Sequence, residues 1–223
     1  MNLEVHNALE KWRADGWETK EPGTIRWIRA EVKSGDVFYD IGANIGIYTI
    51  LAGEITGPAG AVYAFEPHVV NASSLLNNIA LNPCQDWIYV ITSALHDAVG
   101  FYPFNYQRLK AGSSGHQLGH TVDENHHPFE PMAVELKHAT TIAQLVHYQI
   151  IRPATLIKWD VDGNELLILQ GMEPWLKDGP TRSIQVEIHP RSEAPIRQFM
   201  ERNGFTLTET HYTQLGQASI DQG

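Results

Sequence analysis

Two acidic residues in the first third of the chain each follow a short apolar run, as the ends of adjacent strands would. These residues are Asp40 and Glu66. A glycine, Gly42, follows Asp40 closely, and Glu66 lies 24 residues after that glycine. An acidic side chain at about that distance from a glycine turn can hold both hydroxyls of a ribose. The spacing therefore predicts a site for a ligand that contains a nucleoside.

A glycine-containing turn, Gly42-Ala43-Asn44-Ile45-Gly46, lies between the two acidic residues. Glycine permits a tight turn and lets the backbone approach a ligand closely, and the helix predicted after it offers free N–H groups at its start. Ligands of open α/β sheets bind beyond the carboxyl ends of the strands. We therefore expect the ligand to lie against this turn.

The charge around the turn favours S-adenosylmethionine over a dinucleotide. A dinucleotide site typically has glycine at 42, 44 and 47, whereas this chain has Asn44 and Ile47. Asp40 would repel a pyrophosphate, but S-adenosylmethionine carries an ammonium and a sulfonium group and no phosphate. An NAD-dependent oxidoreductase is the first alternative, a non-catalytic S-adenosylmethionine-binding module is the second, and a turn with a purely structural role is the third.

A second group of side chains that could exchange protons lies in the last third of the chain. Asp160 and Asp162 follow one apolar run, and His189 follows another. Methyl transfer to an alcohol benefits from a general base, worth roughly a hundred- to ten-thousandfold, and imidazole suits that role near neutral pH. We expect His189 or Asp162 to remove the acceptor proton and Asp160 to lie near the methyl group.

Two other interpretations of these residues remain open. Asp162 and Glu165 could instead form the capping box of a helix, a structural role that we weigh equally with function for these two residues. The carboxylates together with His189 could also hold Mg²⁺ or Mn²⁺. We rank this metal site below a metal-free mechanism.

Short apolar runs alternate with stretches of helical spacing along most of the chain, which predicts an α/β protein with a mostly parallel sheet. The strands are predicted at 36–40, 61–65, 87–91, 132–136, 155–159, 183–188 and 204–210, and the intervening helices at 47–55, 69–81, 141–147, 165–169 and 194–202.

The alternation fails over 101–131, which is rich in Gly, Ser, His and Pro. An irregular stretch of this length inside a compact domain is usually functional or mobile, so we predict an insertion that acts as a lid or recognises the acceptor. Its histidines, His116, His120, His126 and His127, fit a polar loop better than a zinc site because no cysteine joins them. We predict N-terminal helices over 1–35 that pack on a single domain over 36–223.

The composition of the 223-residue chain excludes several classes of function. Sixteen basic and 26 acidic residues give a formal charge of −10, which argues against a nucleic-acid partner. No apolar run approaches the ~18 residues of a membrane span, and a chain with one cysteine, Cys84, forms no internal disulfide. The first residues lack the pattern of a signal peptide, so we expect a cytoplasmic protein that acts on a small molecule or glycan.

Several segments in the same order resemble the FkbM-type family of S-adenosylmethionine-dependent methyltransferases, over about Glu21 to Gly204. The segments are VFYDIGANIGIYT (37–49), VYAFEP (62–67), SALHD (93–97), IKWDVDGNE (157–165) and EIHP (187–190). Trp159 stands where the family usually has an aliphatic residue, and Asp162 where it usually has Glu.

The resemblance implies a Rossmann-like class I methyltransferase fold, with a mostly parallel seven-stranded sheet flanked by helices. It implies an O-methyltransferase, because the family mostly methylates hydroxyls of sugars, lipids, polyketides and other natural products. It also implies the cofactor contacts: the methionine half by Asp40, Gly42, Asn44 and Gly46, the ribose by Glu66, and the adenine near Ser93 and Ala94. Ala43 and Pro67, in the same matched segments, and Asp160, near the transferred methyl, complete the predicted cofactor site.

Overall fold

The computed structural model of the chain describes residues 1–123, 127–188, 190 and 192–211. His189 and His126, two of the residues singled out from the sequence, lie outside the described residues. Across the part that is described, no helix has both the length and the apolar character needed to span a membrane.

Three helices precede the sheet: α1 (Ala8–Asp15), α2 (Trp17–Lys20) and α3 (Pro22–Glu31). The side chain of Asn7 caps α1 by accepting hydrogen bonds from the N–H groups of Leu9 and Glu10. Ile25 and Ile28 of α3 are buried in the core on one face of the sheet. These contacts hold the N-terminal helices against the remainder of the chain.

The central sheet is parallel, as the alternation predicts. Its strands are β1 (Val37–Ile41), β2 (Ala61–Phe65), β3 (Ile88–Ile91), β8 (Leu156–Trp159) and β9 (Ser183–Val186), in the order β3-β2-β1-β8-β9. The helices between and after them are α4 (Ile47–Thr56), α5 (Val69–Ala80), α6 (Ile142–His147), α7 (Glu165–Leu176) and α8 (Glu193–Arg202). The α/β class with a mostly parallel sheet is thus confirmed.

The predicted count of seven strands in one sheet does not hold within the described residues, where the parallel sheet has five. The run at 132–136 is part of a strand that joins a different sheet. Residues 204–210 form no helix or strand, although their side chains alternate between apolar and polar. Alternation alone predicts a strand without identifying a neighbour to pair with it.

The second sheet corrects the prediction of an irregular segment at 101–131. It contains β4 (Ala94–Leu95), β5 (Gly100–Tyr106), β6 (Gln117–Leu118) and β7 (Ala133–Thr140), in the order β4-β7-β5-β6. The strand β5 pairs antiparallel with β7 along its whole length. This partner is distant in sequence, so the local pattern of residues 101–106 does not show the pairing.

Both faces of the parallel sheet are covered, which explains why its strands are continuously apolar. Alternate residues of β1 point to opposite sides. Phe38 packs in the cluster formed with α3, α4 and α5, and Tyr39 in the cluster formed with α6, α7 and α8. This burial holds the carboxyl ends of the central strands in fixed positions.

Candidate functional site

A cleft of about 510 Å³ lies at the carboxyl ends of the parallel strands. Its floor is formed by residues at or just after these ends, and its other walls by α1, α2 and the second sheet. The helices α1 and α2 and the residue after them contribute Trp12, Arg13, Lys20 and Glu21 to the lining. The ends of the parallel strands contribute Gly42, Asn44, Glu66, Pro67, Ser93, Asp160, Asp162 and Glu187, and the second sheet contributes Ala94, Phe104 and Leu118. The volume lies within the roughly 300–1,000 Å³ typical of small-molecule sites.

The glycine turn between β1 and α4 requires glycine at its first position. Gly42 has φ +78°, and a Cβ added there would lie 1.8 Å from the carbonyl oxygen of Asp160. The turn therefore packs directly against the backbone that follows β8. Only a residue without a side chain lets these two strand ends approach so closely.

Asn44 holds the middle of this turn in the left-handed region, with φ +50°. Its side-chain amide donates to the carbonyl of Ser113, 3.0 Å away, so it links the turn to the segment between β5 and β6. Its Oδ1 is buried and has no hydrogen-bond partner among the described residues. Because buried polar atoms are normally paired, this acceptor is available to a ligand that enters the cleft.

Glu66 lies at the end of β2 and is 5% exposed. Its carboxylate accepts hydrogen bonds from the backbone N–H groups of Asn44, at 2.7 Å, and His68, at 2.8 Å. Burial raises the pKa of Glu66 to about 7, although these two N–H groups partly counteract it. The side chain of Asn71 donates a further hydrogen bond to the carboxylate. Of its roughly four lone-pair positions, about one then remains to accept a hydroxyl of a ribose.

Asp40 does not line the cleft, contrary to the expected direct contact with a cationic ligand. It is fully buried; the Thr49 hydroxyl donates to it at 2.6 Å, and Lys158 Nζ lies 3.3 Å from its Oδ1. The reason is a side chain that the sequence argument did not consider. The ammonium of Lys158 already balances the charge of Asp40.

Lys158 also connects Asp40 to the cleft, because its Nζ lies 3.5 Å from Asp160 Oδ2. The lysine side chain is 1% exposed. Burial alone would lower the pKa of Lys158, but the two neighbouring carboxylates outweigh burial and raise it. A permanently charged ammonium is therefore fixed behind the floor of the cleft.

Asp160 and Glu187 form a hydrogen-bonded pair of carboxyl groups in the cleft. Burial alone would raise the pKa of Asp160, but Lys158 and the bond from Glu187 hold it below its ordinary value. The charge of Asp160 raises the pKa of Glu187; solvent weakens this effect, because Glu187 is exposed. Of the two carboxyl groups, that of Asp160 therefore ionises more readily.

Asp162 binds the segment between β5 and β6 across the cleft. Its Oδ2 accepts the backbone N–H of Gly115 at 2.5 Å, and its carbonyl accepts the side-chain amide of Gln117. The N-terminal cap of α7 is Asn164 rather than Asp162. The predicted helix-capping role of Asp162 is therefore wrong in this structure, and the residue instead fixes the wall opposite the floor.

The other predicted cofactor residues differ in their access to the cleft. Pro67, Ser93 and Ala94 line it beside Glu66. Ala43 lines only a smaller adjoining cavity, and Gly46 lines neither. Gly46 is instead the residue immediately before α4, with φ +92°, and it shapes the turn.

The histidines of residues 101–131 are not gathered into a metal site among the described residues. His116 stacks on His68, with ring centroids 4.2 Å apart. Its Nδ1 accepts the N–H of Gln107, and its Nε2 lies 3.1 Å from the hydroxyl of Ser113. Burial, with the nearby His68 and Arg108, lowers the pKa of His116 to about 3. A neutral imidazole with both nitrogens engaged supports the wall rather than moving protons.

Sequence reasoning missed the contribution of the N-terminal helices to the cleft. Trp12, Arg13, Lys20 and Glu21 line it, although they lie in short polar helices without a recognisable motif. Lys158 falls inside a segment that resembles the family, and the available signal was a lysine within an otherwise apolar strand. A lysine within an otherwise apolar strand is fully buried only when it is paired.

The residues at the floor fit S-adenosylmethionine. The unpartnered Asn44 Oδ1 and the remaining lone pair of the Glu66 carboxylate are acceptors for hydroxyl or ammonium hydrogens. The close approach at Gly42 leaves backbone rather than side chain against the ligand. The apolar surfaces of Phe104 and Leu118 line the same cleft and offer contact to an aromatic base.

Comparison with known proteins identifies the chain as a methyltransferase. The family described as "Methyltransferase FkbM domain" matches residues 40–207. The chain is 27% identical over 203 residues to Methyltransferase sdnD of Sordaria araneosa, covering 80% of this chain and 77% of that protein. Its fold is similar to precorrin-6y C5,15-methyltransferase from Geobacter metallireducens, with TM-score 0.50 and 12% identity over 92% of this chain and 78% of that one. A methyltransferase from Aquifex aeolicus aligns over 95% of each chain at 11% identity, with TM-score 0.48.

Proposed function

The chain belongs to the methyltransferase FkbM-domain family, and from this premise we propose that it methylates a hydroxyl group of a small molecule, sugar or other natural product. S-adenosylmethionine is the methyl donor. The observation that carries the hydroxyl assignment is the Asp160–Glu187 pair, which places a negative charge at the floor of the cleft. Membership of a methyltransferase family excludes the alternative of an NAD-dependent oxidoreductase.

We assign the cofactor contacts to the residues at the ends of β1, β2 and β3. Glu66 accepts a ribose hydroxyl, and Asn44 Oδ1 takes a further hydrogen from the ligand. Gly42 presents its backbone, while Ser93 and Ala94 line the side of the cleft where the adenine is expected. Asp40 acts indirectly, because it and Asp160 together hold Lys158 in place.

The bound cofactor supplies a methyl group already activated by a sulfonium, so the protein contributes mainly position and charge. Holding two reactants in line can be worth about 7–11 kcal/mol. Asp160 accepts a hydrogen bond from the acceptor hydroxyl and orients its lone pair towards the methyl carbon. As the C–O bond formed and the bond from the methyl carbon to the sulfonium sulfur broke, a neutral thioether would leave and the acceptor oxygen would gain positive charge. The anionic carboxylate of Asp160 would stabilise that charge.

The lowered pKa of Asp160 is compatible with proton removal late in the reaction. An alcohol is a very weak acid before transfer, but its proton becomes strongly acidic once the oxygen shares its electrons with the methyl carbon. Even a weakly basic carboxylate can then accept it. His189 stays the alternative proton acceptor on the sequence argument, and it lies outside the described residues. Asp162 is the less suitable base, because it is bonded to Gly115.

The test is transfer of labelled methyl from S-adenosylmethionine to a panel of matched alcohols and amines. We expect transfer to an alcohol, and a loss of roughly a hundred- to ten-thousandfold in kcat in Asp160→Asn with unchanged cofactor affinity. Asp86→Asn, at an exposed residue of a short 3₁₀ helix, is the control for loss of an acidic charge. Transfer to amines alone would refute hydroxyl methylation, and full activity of Asp160→Asn would refute the role of Asp160.

A further inference from the structure

The end of α1 and the region around α2 form a charged cluster on the wall of the cleft that faces β1 and β8. Lys20 Nζ lies 2.7 Å from Glu21 Oε1 and 5.6 Å from the centre of the Trp12 ring. Arg13 Nε donates to the carbonyl of Gly112 at 2.6 Å. These contacts hold both cationic side chains at the edge of the cleft.

The charges that line the cleft are unequally placed. Among the described residues, Arg13 and Lys20 are the lining side chains with a permanent positive charge. Glu21 lies beside Lys20 on that wall, and the other four lining carboxyl groups, Glu66, Asp160, Asp162 and Glu187, line the rest of the cleft. An anionic group of a ligand is therefore attracted to the wall formed by α1 and α2 and repelled elsewhere.

The expected direction of the cofactor is set by the predicted contacts. With the ribose assigned to Glu66 at the end of β2 and the adenine to Ser93 and Ala94 after β3, the 5′ substituent would point the other way, towards Gly42 and Asp160 after β1 and β8. This substituent carries the sulfonium and ends in an amino group and a carboxylate. A smaller cavity at that end is lined by Arg13, Lys20 and Glu21 on one side and by Gly42 and Asp160 on the other. Lys158 also lines it, but its ammonium is already paired with Asp40 and Asp160.

We propose that Arg13 and Lys20 bind the carboxylate at the methionine end of the cofactor, with Glu21 beside them to receive its ammonium group. The proposal rests on the proposed function, because it takes the cofactor to be S-adenosylmethionine. Charge-assisted hydrogen bonds of this kind are about twice as strong as neutral ones. The N-terminal helices thus complete the cofactor site, whereas the matched family segment begins only at residue 40.

The test compares S-adenosylmethionine with its decarboxylated form by calorimetry, without an acceptor. The two ligands share the adenosine, the sulfonium and the amine, so their difference in Kd reports recognition of the carboxylate. We expect the wild type to prefer S-adenosylmethionine by at least about tenfold. Lys20→Gln and Arg13→Gln should each weaken S-adenosylmethionine by about 10- to 100-fold and should change the Kd of the decarboxylated ligand little.

Two further variants separate recognition from loss of charge or of folding. Lys11→Gln removes the same charge from α1 at an exposed side chain that pairs with Asp15, and it should bind both ligands as the wild type does. Lys20→Arg should retain the preference for S-adenosylmethionine. Circular dichroism of each variant checks that it is folded.

The outcomes distinguish this inference from the function on which it rests. Wild type that binds neither ligand would overturn the proposed function as well. A wild-type protein that binds both ligands equally would overturn carboxylate recognition by Arg13 and Lys20. Variants that keep the full preference for S-adenosylmethionine over its decarboxylated form would overturn it too. Neither result would contradict cofactor binding.

Discussion

Replacing Gly42 with alanine should destabilise the protein by two separable effects. The first is conformational, because φ is +78° and a non-glycine residue in the left-handed region costs roughly 1–2 kcal/mol. The second is steric, because the added Cβ would lie 1.8 Å from the carbonyl oxygen of Asp160. Both strand ends are packed, so relief of this overlap requires a backbone shift of the kind that costs about 1–3 kcal/mol.

The chain contains a matched control for the first effect. Gly35 has φ +89°, and a Cβ added there meets no atom within 4 Å. Gly35→Ala should therefore lose only the conformational contribution. We expect Gly42→Ala to be less stable than Gly35→Ala by about 1–3 kcal/mol, and to lose cofactor affinity that Gly35→Ala retains.

Urea unfolding followed by circular dichroism measures both free energies of unfolding, and calorimetry with S-adenosylhomocysteine measures binding. Equal m-values for the two variants would show that their midpoints compare stability alone. The reasoning is refuted if Gly42→Ala is no less stable than Gly35→Ala. It is also refuted if Gly42→Ala binds the ligand as tightly as the wild type, because the turn would then tolerate a side chain.

Two further predictions concern the buried charges of the site. The pKa of Glu66 rises from 4.5 to about 7 on folding, so its contribution favours the folded state fully below pH 4.5 and is lost as the pH rises through 7. The wild type should therefore lose up to about 3 kcal/mol relative to Glu66→Gln between pH 4.5 and pH 8 in urea unfolding, and parallel pH profiles would contradict this. Lys158→Met leaves the carboxylates of Asp40 and Asp160 without their cation, so the free energy of unfolding should fall by about 3–5 kcal/mol at pH 7 and by less at pH 4. Thermal unfolding measures this loss, with Lys11→Met as the control for removal of a lysine. An equal loss of stability in the two variants would exclude the pairing.

The elements that the sequence predicts well are those with strong local signals. The strands β1, β2 and β8 are continuously apolar and end at polar residues, so their positions and their common edge follow from the pattern. Gly42, Asn44, Glu66 and Asp160 were identified in the same way, and the structure brings all four to one cleft.

The features that the sequence did not predict depend on contacts between distant residues. The strand β5 is formed by pairing with β7, and neither the Pro103 within it nor the glycines after it favour a strand. Asp40 appears suited to a cationic ligand only until Lys158 is placed next to it. Such pairings follow from the three-dimensional arrangement, and spacing along one segment does not contain them.

The second sheet has a consequence for how the cleft of this protein could be redesigned. The chain leaves the parallel sheet after β3, builds the sheet β4-β7-β5-β6, and returns to the parallel sheet at β8. Phe104 and Leu118 of this excursion face the cleft, while Glu66 and Gly42 belong to the parallel sheet and its turns. This side of the cleft can therefore be redesigned as a replaceable module, provided that Ser113 and Gly115 keep their bonds to Asn44 and Asp162.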